Sequence, residues 1–197
     1  KTFAKKFNKN LKQIYIDLPG FGKSSNGYIL SSDDYLNIIT LFLEQINISS
    51  NIIIGHSFGG KIAVRLNPKL LILLSSAGIV KKKSLKVKTK IKIYKFLKPF
   101  APKNLYRFFA TKDVDNMPHF MYETLKNVVN EDYREHFKSY NGLALIFWGK
   151  HDKDTPLSSG KKISNLIKSN YFYQYEGEHF FFLKHSKDII KKIEDFI

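Results

Sequence analysis

Short apolar runs alternating with helix-patterned stretches predict an α/β protein: a mostly parallel sheet flanked by helices, with a helical lid inserted into it. Three observations carry this expectation. The runs at 51–54 and 70–74 are apolar at nearly every position, as strands covered on both faces require. Between and after them come stretches whose apolar residues recur at helical spacing. From 79 to 140 the alternation stops and a different, strongly basic pattern takes over.

Taken in order, Gln13–Leu18 (QIYIDL) reads as a strand, broken sharply by Pro19, Gly20 and Gly22. Ser32 or Asp33 can cap a helix carrying Tyr35, Leu36, Ile39 and Leu43 to about Ile46. The strand at 51–54 is followed by a helix from Phe58 to Leu66, then by a buried strand at 70–74. Strands at 143–148 and 171–175 follow the insertion. A closing helix over 186–196 sets Ile189, Ile190 and Ile193 on one face. The domain organisation expected is a core of 1–78 and 141–197 with a basic helical lid of 79–140.

The 197 residues are 43% hydrophobic, enough for one compact domain with its own core. The formal charge of +16 reports on association with acidic partners or on a solvated surface, and not on the fold. Much of it lies in 81–110, which holds ten lysines and one arginine and no acid. The absence of cysteine excludes a disulfide framework and a thiolate metal site. No apolar run approaches the ~20 residues of a membrane-spanning helix, and the basic, polar start lacks the apolar segment of a signal peptide. A cytoplasmic location is the expectation.

The chemistry centres on Gly55-His56-Ser57-Phe58-Gly59, followed by Gly60. Its place between an apolar strand and a helix makes the pattern informative, because a serine in so sharp a turn is strained and held above the sheet. Small residues on either side are expected where side chains would collide with strand and helix. The Phe58 N–H, at the positive end of the helix, is the candidate oxyanion donor. A serine needs a base, itself oriented by an acid. Asp152, in Trp148-Gly149-Lys150-His151-Asp152 after the strand at 143–148, is the candidate acid. Asp154 competes, but beside Thr155-Pro156 it reads as a cap for the helix near Ser158. Of six histidines, His179, in Glu176-Gly177-Glu178-His179, is the candidate base, because it follows a strand with a glycine nearby and comes after Ser57 and Asp152 in the chain. His56 is expected to pack beside the serine. Gly20-Phe21-Gly22-Lys23-Ser24 ends like a phosphate-binding loop, but that motif needs glycine at position 17, where Asp stands.

With Asp17–Ser24, Gly55–Gly60, Trp148–Asp152 and Gly177–His179 in this order, the chain resembles the α/β-hydrolase superfamily over nearly its whole length. Within it, the likeness is to capped serine esterases and to hydrolases of ring-cleavage products. The resemblance implies the α/β-hydrolase fold, a Ser57–His179–Asp152 triad, and no metal or organic cofactor. It also implies an oxyanion loop some tens of residues before Asp17. The numbered sequence starts too late to hold that loop, so N-terminal strands are expected to be missing from this chain. Carbon–carbon hydrolases of the ring-cleavage group tend to carry Asn before the serine and Trp after the histidine. His56 and Phe180 stand there, which puts ester hydrolysis ahead of carbon–carbon cleavage.

The function expected is hydrolysis of a small-molecule carboxylic ester through an acyl-enzyme. Tyr94, Phe96, Phe108, Phe109, Phe120, Met121 and Tyr122 are candidate pocket walls supplied by the lid. By analogy with an esterase of the family, an acidic carrier protein docking on Lys81–Lys98 is a candidate partner. Nucleic acid is not the expected partner. The rival reading is a non-catalytic basic binding protein on the same scaffold, and the whole triad argues against it.

Overall fold

The computed structural model describes residues 2–4, 6–7, 11–49, 51–80 and 118–197. Among these, four strands form one parallel sheet in sequence order: β1 (Ile52–His56), β2 (Leu70–Leu74), β3 (Leu143–Gly149) and β4 (Asn170–Tyr175). The register places Ile54 opposite Ile72, Ile72 opposite Leu145, and Leu145 opposite Tyr171. Six helices accompany the strands: α1 (Ser32–Gln45), α2 (Phe58–Arg65), α3 (His119–Val129), α4 (Arg134–Ser139), α5 (Leu157–Leu166) and α6 (Phe182–Glu194). A parallel sheet flanked by helices is the α/β arrangement that the sequence predicts.

Alternation along β2 and β3 divides the core between the two faces of the sheet, because successive strand residues point to opposite sides. Leu71, Leu73, Ala144, Ile146 and Trp148 join Ala63, Val64, Phe137 and Ile163 on one face. Leu70, Ile72, Leu74, Leu145 and Phe147 join Ile189, Ile190 and Ile193 of α6 on the other. Trp148 is fully buried and donates from Nε1 to the Thr155 carbonyl at 2.7 Å, which satisfies its one polar atom.

Several boundaries move by a residue or a turn. Helix α1 is capped by Ser31, whose hydroxyl accepts from the Asp34 N–H while Asp34 reaches back to the Ser31 N–H. That reciprocal box needs the acid three residues after the cap, and Ser31 meets the requirement with Asp34. Helix α6 starts four residues earlier than the sequence suggests. The expected strand at 13–18 forms no ladder, for among the described residues nothing pairs with it. Among the described residues β1 pairs only with β2, and Ile52 and Ile54 are exposed rather than fully covered. They and residues 13–18 line one cavity of about 880 Å³.

Most of the expected lid, 81–117, lies outside the described residues. Its remainder forms α3 and α4, and Val128, Tyr133, Phe137 and Tyr140 enter the core. Lys61 of α2 ties this part down. Its buried ammonium donates to the Val128 carbonyl at 2.6 Å and to Glu131 Oε2 at 2.8 Å, and lies 4.2 Å from the Tyr133 ring centroid. Burial lowers the Lys61 pKa, and Glu131 opposes that by favouring the charged form. Removing one partner of such a pair strands the other in a site built for charge. Lys61→Ala should therefore lower unfolding free energy by about 2–4 kcal/mol in urea titration, with Lys61→Arg milder than Lys61→Ala.

Candidate active site

Ser57 lies between β1 and α2 with φ 51° and ψ −120°, a conformation that costs a non-glycine residue on the order of 1–3 kcal/mol. Packing imposes it. A Cβ on Gly55 would stand 2.6 Å from the Gly59 carbonyl oxygen and 2.7 Å from the Gly60 N and Cα. A Cβ on Gly60 would overlap Ser76 Oγ. The turn is tied to β2 by the Ser57 N–H donating to the Leu74 carbonyl at 3.1 Å and the Ala77 N–H donating to the Ser57 carbonyl at 2.9 Å. The Ser57 hydroxyl does not cap α2. Phe58 is the first residue of that helix, so its N–H has no acceptor within it.

Gly59 was expected to be small for steric reasons, yet a Cβ there meets nothing within 4 Å. Gly55 and Gly60 make the close approach, because they lie where α2 touches β1 and the end of β2.

His179 and Asp152 come together from the loops after β4 and β3. His179 Nδ1 lies 2.8 Å from Asp152 Oδ2, and both side chains are buried or nearly so. Asp152 Oδ1 accepts the N–H groups of Asp154 and Thr155, each at 2.9 Å. Thr155 Oγ1 lies 2.9 Å from Asp152 Oδ2 and 3.0 Å from the Ser75 carbonyl oxygen. Burial pushes the Asp152 pKa up, but polar hydrogens of His179, Ser75 and Thr155 outweigh it and leave the carboxyl below its ordinary value. Asp154 is exposed and does not cap α5, whose N-cap is Pro156. It contributes its backbone N–H to Asp152 instead. The part played by Thr155 was not anticipated; its position three residues after the acid was the available signal.

Ser57, Phe58 and His179 line the same cavity, together with His56, Phe21 and Phe180. Of the aromatic residues expected to wall a pocket, Tyr94, Phe96, Phe108 and Phe109 lie outside the described residues. Phe120, Met121 and Tyr122 belong to α3 and do not line this cavity. Met121 packs instead on the turn at Gly20 and Asn26. That turn is closed by its own residues, the Lys23 N–H donating to Asp17 Oδ2 and Ser24 Oγ donating to the Asp17 carbonyl. Asp152, Asp154 and His179 bring possible ligand atoms within 4.8 Å of one another. Both Asp152 oxygens and His179 Nδ1 already hold hydrogen bonds, an arrangement that orients an imidazole. Among the described residues, no helix is long and apolar enough to cross a membrane.

A family model described as the alpha/beta hydrolase fold matches residues 3–69. An uncharacterized hydrolase of Bacillus subtilis (strain 168), YugF, is 25% identical over 191 residues, covering 81% of this chain and 70% of the relative. An esterase from Exiguobacterium antarcticum superposes with a TM-score of 0.67 at 20% identity, over 91% of this chain and 79% of that one. A mutant of the meta-cleavage product hydrolase CumD from Pseudomonas fluorescens IP01 gives 0.64 at 18% identity, over 91% and 77%. Together these likenesses show that the chain has the α/β-hydrolase fold.

Two outcomes follow from this geometry. Gly55→Ala and Gly60→Ala should each lower the melting temperature by several degrees, whereas Gly59→Ala should hold or raise it, since alanine favours a helix by about 0.5–1 kcal/mol over glycine. The second concerns acid. Burial first, and then the charge of His179, push the His56 pKa down to about 4, while its hydrogen bond to the His179 carbonyl and the Asp152 charge act the other way. The unfolded chain therefore binds this proton more readily between pH 6.5 and 4. The associated stability is present above about pH 6.5 and lost as pH falls toward 4. Urea midpoints of the wild type should drop across that window, and those of His56→Phe should drop less.

Proposed function

We propose that the protein is a serine hydrolase that cleaves carboxylic esters. The observation that carries the reading is the Asp152–His179 hydrogen bond at 2.8 Å, in a site whose histidine shares a cavity with the strained Ser57. Asp152 fixes the tautomer: with Nδ1–H donating to the carboxylate, His179 presents the Nε2 lone pair as base. His179 takes the Ser57 proton as Ser57 Oγ attacks the ester carbonyl. The resulting oxyanion is held in part by the Phe58 N–H, at the positive end of α2. His179 then protonates the departing alcohol, and water attacks the acyl-enzyme by the same path in reverse order. Phe21, Phe58 and Phe180 around the mouth favour an apolar acyl group. The chain's structural neighbours, an esterase and a meta-cleavage product hydrolase, support hydrolysis in general. The choice of an ester rests on His56 and Phe180, which stand where the carbon–carbon cleaving group tends to carry Asn and Trp. An acidic carrier protein as the ester's bearer rests on the sequence of Lys81–Lys98 alone.

The test is labelling by a fluorophosphonate, followed by turnover of p-nitrophenyl esters. Wild-type protein should be labelled and Ser57→Ala should not. Asp152→Asn should lower kcat by on the order of 10³–10⁴ while the fold persists. A folded wild type that takes no probe would mean that the serine is not activated.

A further inference from the structure

His56 ends β1 directly before Ser57, and its ring is enclosed by the segment that carries the base. Its centroid lies 4.6 Å from that of His179, 5.1 Å from Phe180 and 4.8 Å from Phe182. His56 Nε2 lies 3.1 Å from the His179 backbone carbonyl oxygen. A carbonyl only accepts, so the proton is on His56 Nε2.

We infer that His56 is the positioning residue for His179: it docks the 179–182 segment onto the end of β1 and so sets the base at its working distance from Ser57. The inference rests on the hydrolase reading above. The serine and its base sit on different elements, β1–α2 and the loop after β4, so some contact must register them against each other. His56 supplies that contact from the residue adjoining the serine to the residue bearing the base. Its Nε2 proton is committed to the carbonyl, so it does not act as a second base. Burial and the neighbouring His179 keep it neutral, a state in which it does not compete for the proton that His179 cycles. Misplacement of a catalytic group by about 1 Å costs on the order of 10²-fold in rate, which makes such a tether consequential.

The experiment compares His56→Phe, which keeps the ring packing and removes the donor, with His56→Gln, which restores an N–H within reach of the carbonyl. His56→Phe should lower kcat and the fluorophosphonate labelling rate by about 10- to 100-fold with KM changed less than about threefold. His56→Gln should recover most of that loss. Folded variants with unimpaired kcat, or a glutamine no better than phenylalanine, overturn the inference. Nitrogen-15 NMR of wild-type imidazoles at pH 5.5 tests it without any variant. A neutral His56 protonated on Nε2 is expected, and an imidazolium or the Nδ1–H tautomer overturns it. A wild type that takes no probe overturns the hydrolase reading itself; a labelled wild type with an unimpaired His56→Phe overturns only the role of His56.

Discussion

The close approach of α2 to β1 is the constraint on which the site depends. Gly55 lies against the backbone of Gly59 and Gly60, and Gly60 lies against Ser76 at the end of β2. With the helix pressed down in this way, the chain has room to turn only by taking Ser57 to positive φ. The strain is supported by bonds from Ser57 to the Leu74 carbonyl and from Ala77 back to Ser57. A local penalty of this kind persists where the surroundings over-determine it, and here the sheet core on both faces does so.

From that turn the other parts follow in layers. The parallel register puts the C-terminal ends of β1, β3 and β4 on one side of the sheet, and the loops after them bring Ser57, Asp152 and His179 to one region. Asp152 is buried and ionised because four hydrogen-bond donors surround it. The His179 ring meets Asp152 on one side, and the His179 backbone carbonyl accepts from His56 on the other. Away from Ser57, Lys61 links the helix that follows the serine to the end of α3, and Val128, Tyr133, Phe137 and Tyr140 pack as core.

Much of this was legible in the residues. Glycines before and after a serine, between an apolar run and a helix, mark a crowded turn, and crowding depends on side-chain size, which a sequence states outright. The pairing of Asp152 with His179 was legible from their order after strands. The strand at 13–18 was misread because pairing depends on a neighbour, and apolar alternation within one segment does not supply one. Gly59 was misread for a similar reason: the motif contains three glycines near the serine, and only three-dimensional contact distinguishes the two that are closely packed from the one that faces open space.

The sequence by itself determined the sheet-and-helix class, the sharp turn at Ser57 and the candidacy of Ser57, Asp152, His179 and Phe58. Those follow from hydrophobic period, glycine placement and chain order, which are local or one-dimensional properties. Only the tertiary structure decided that Thr155 helps to hold Asp152, that His56 meets the segment carrying His179, and that Lys61 anchors α3. The Thr155–Asp152 contact is local but depends on the shape of the turn; the other two join residues far apart in the chain, and their energy depends on distances that arise when separate elements pack.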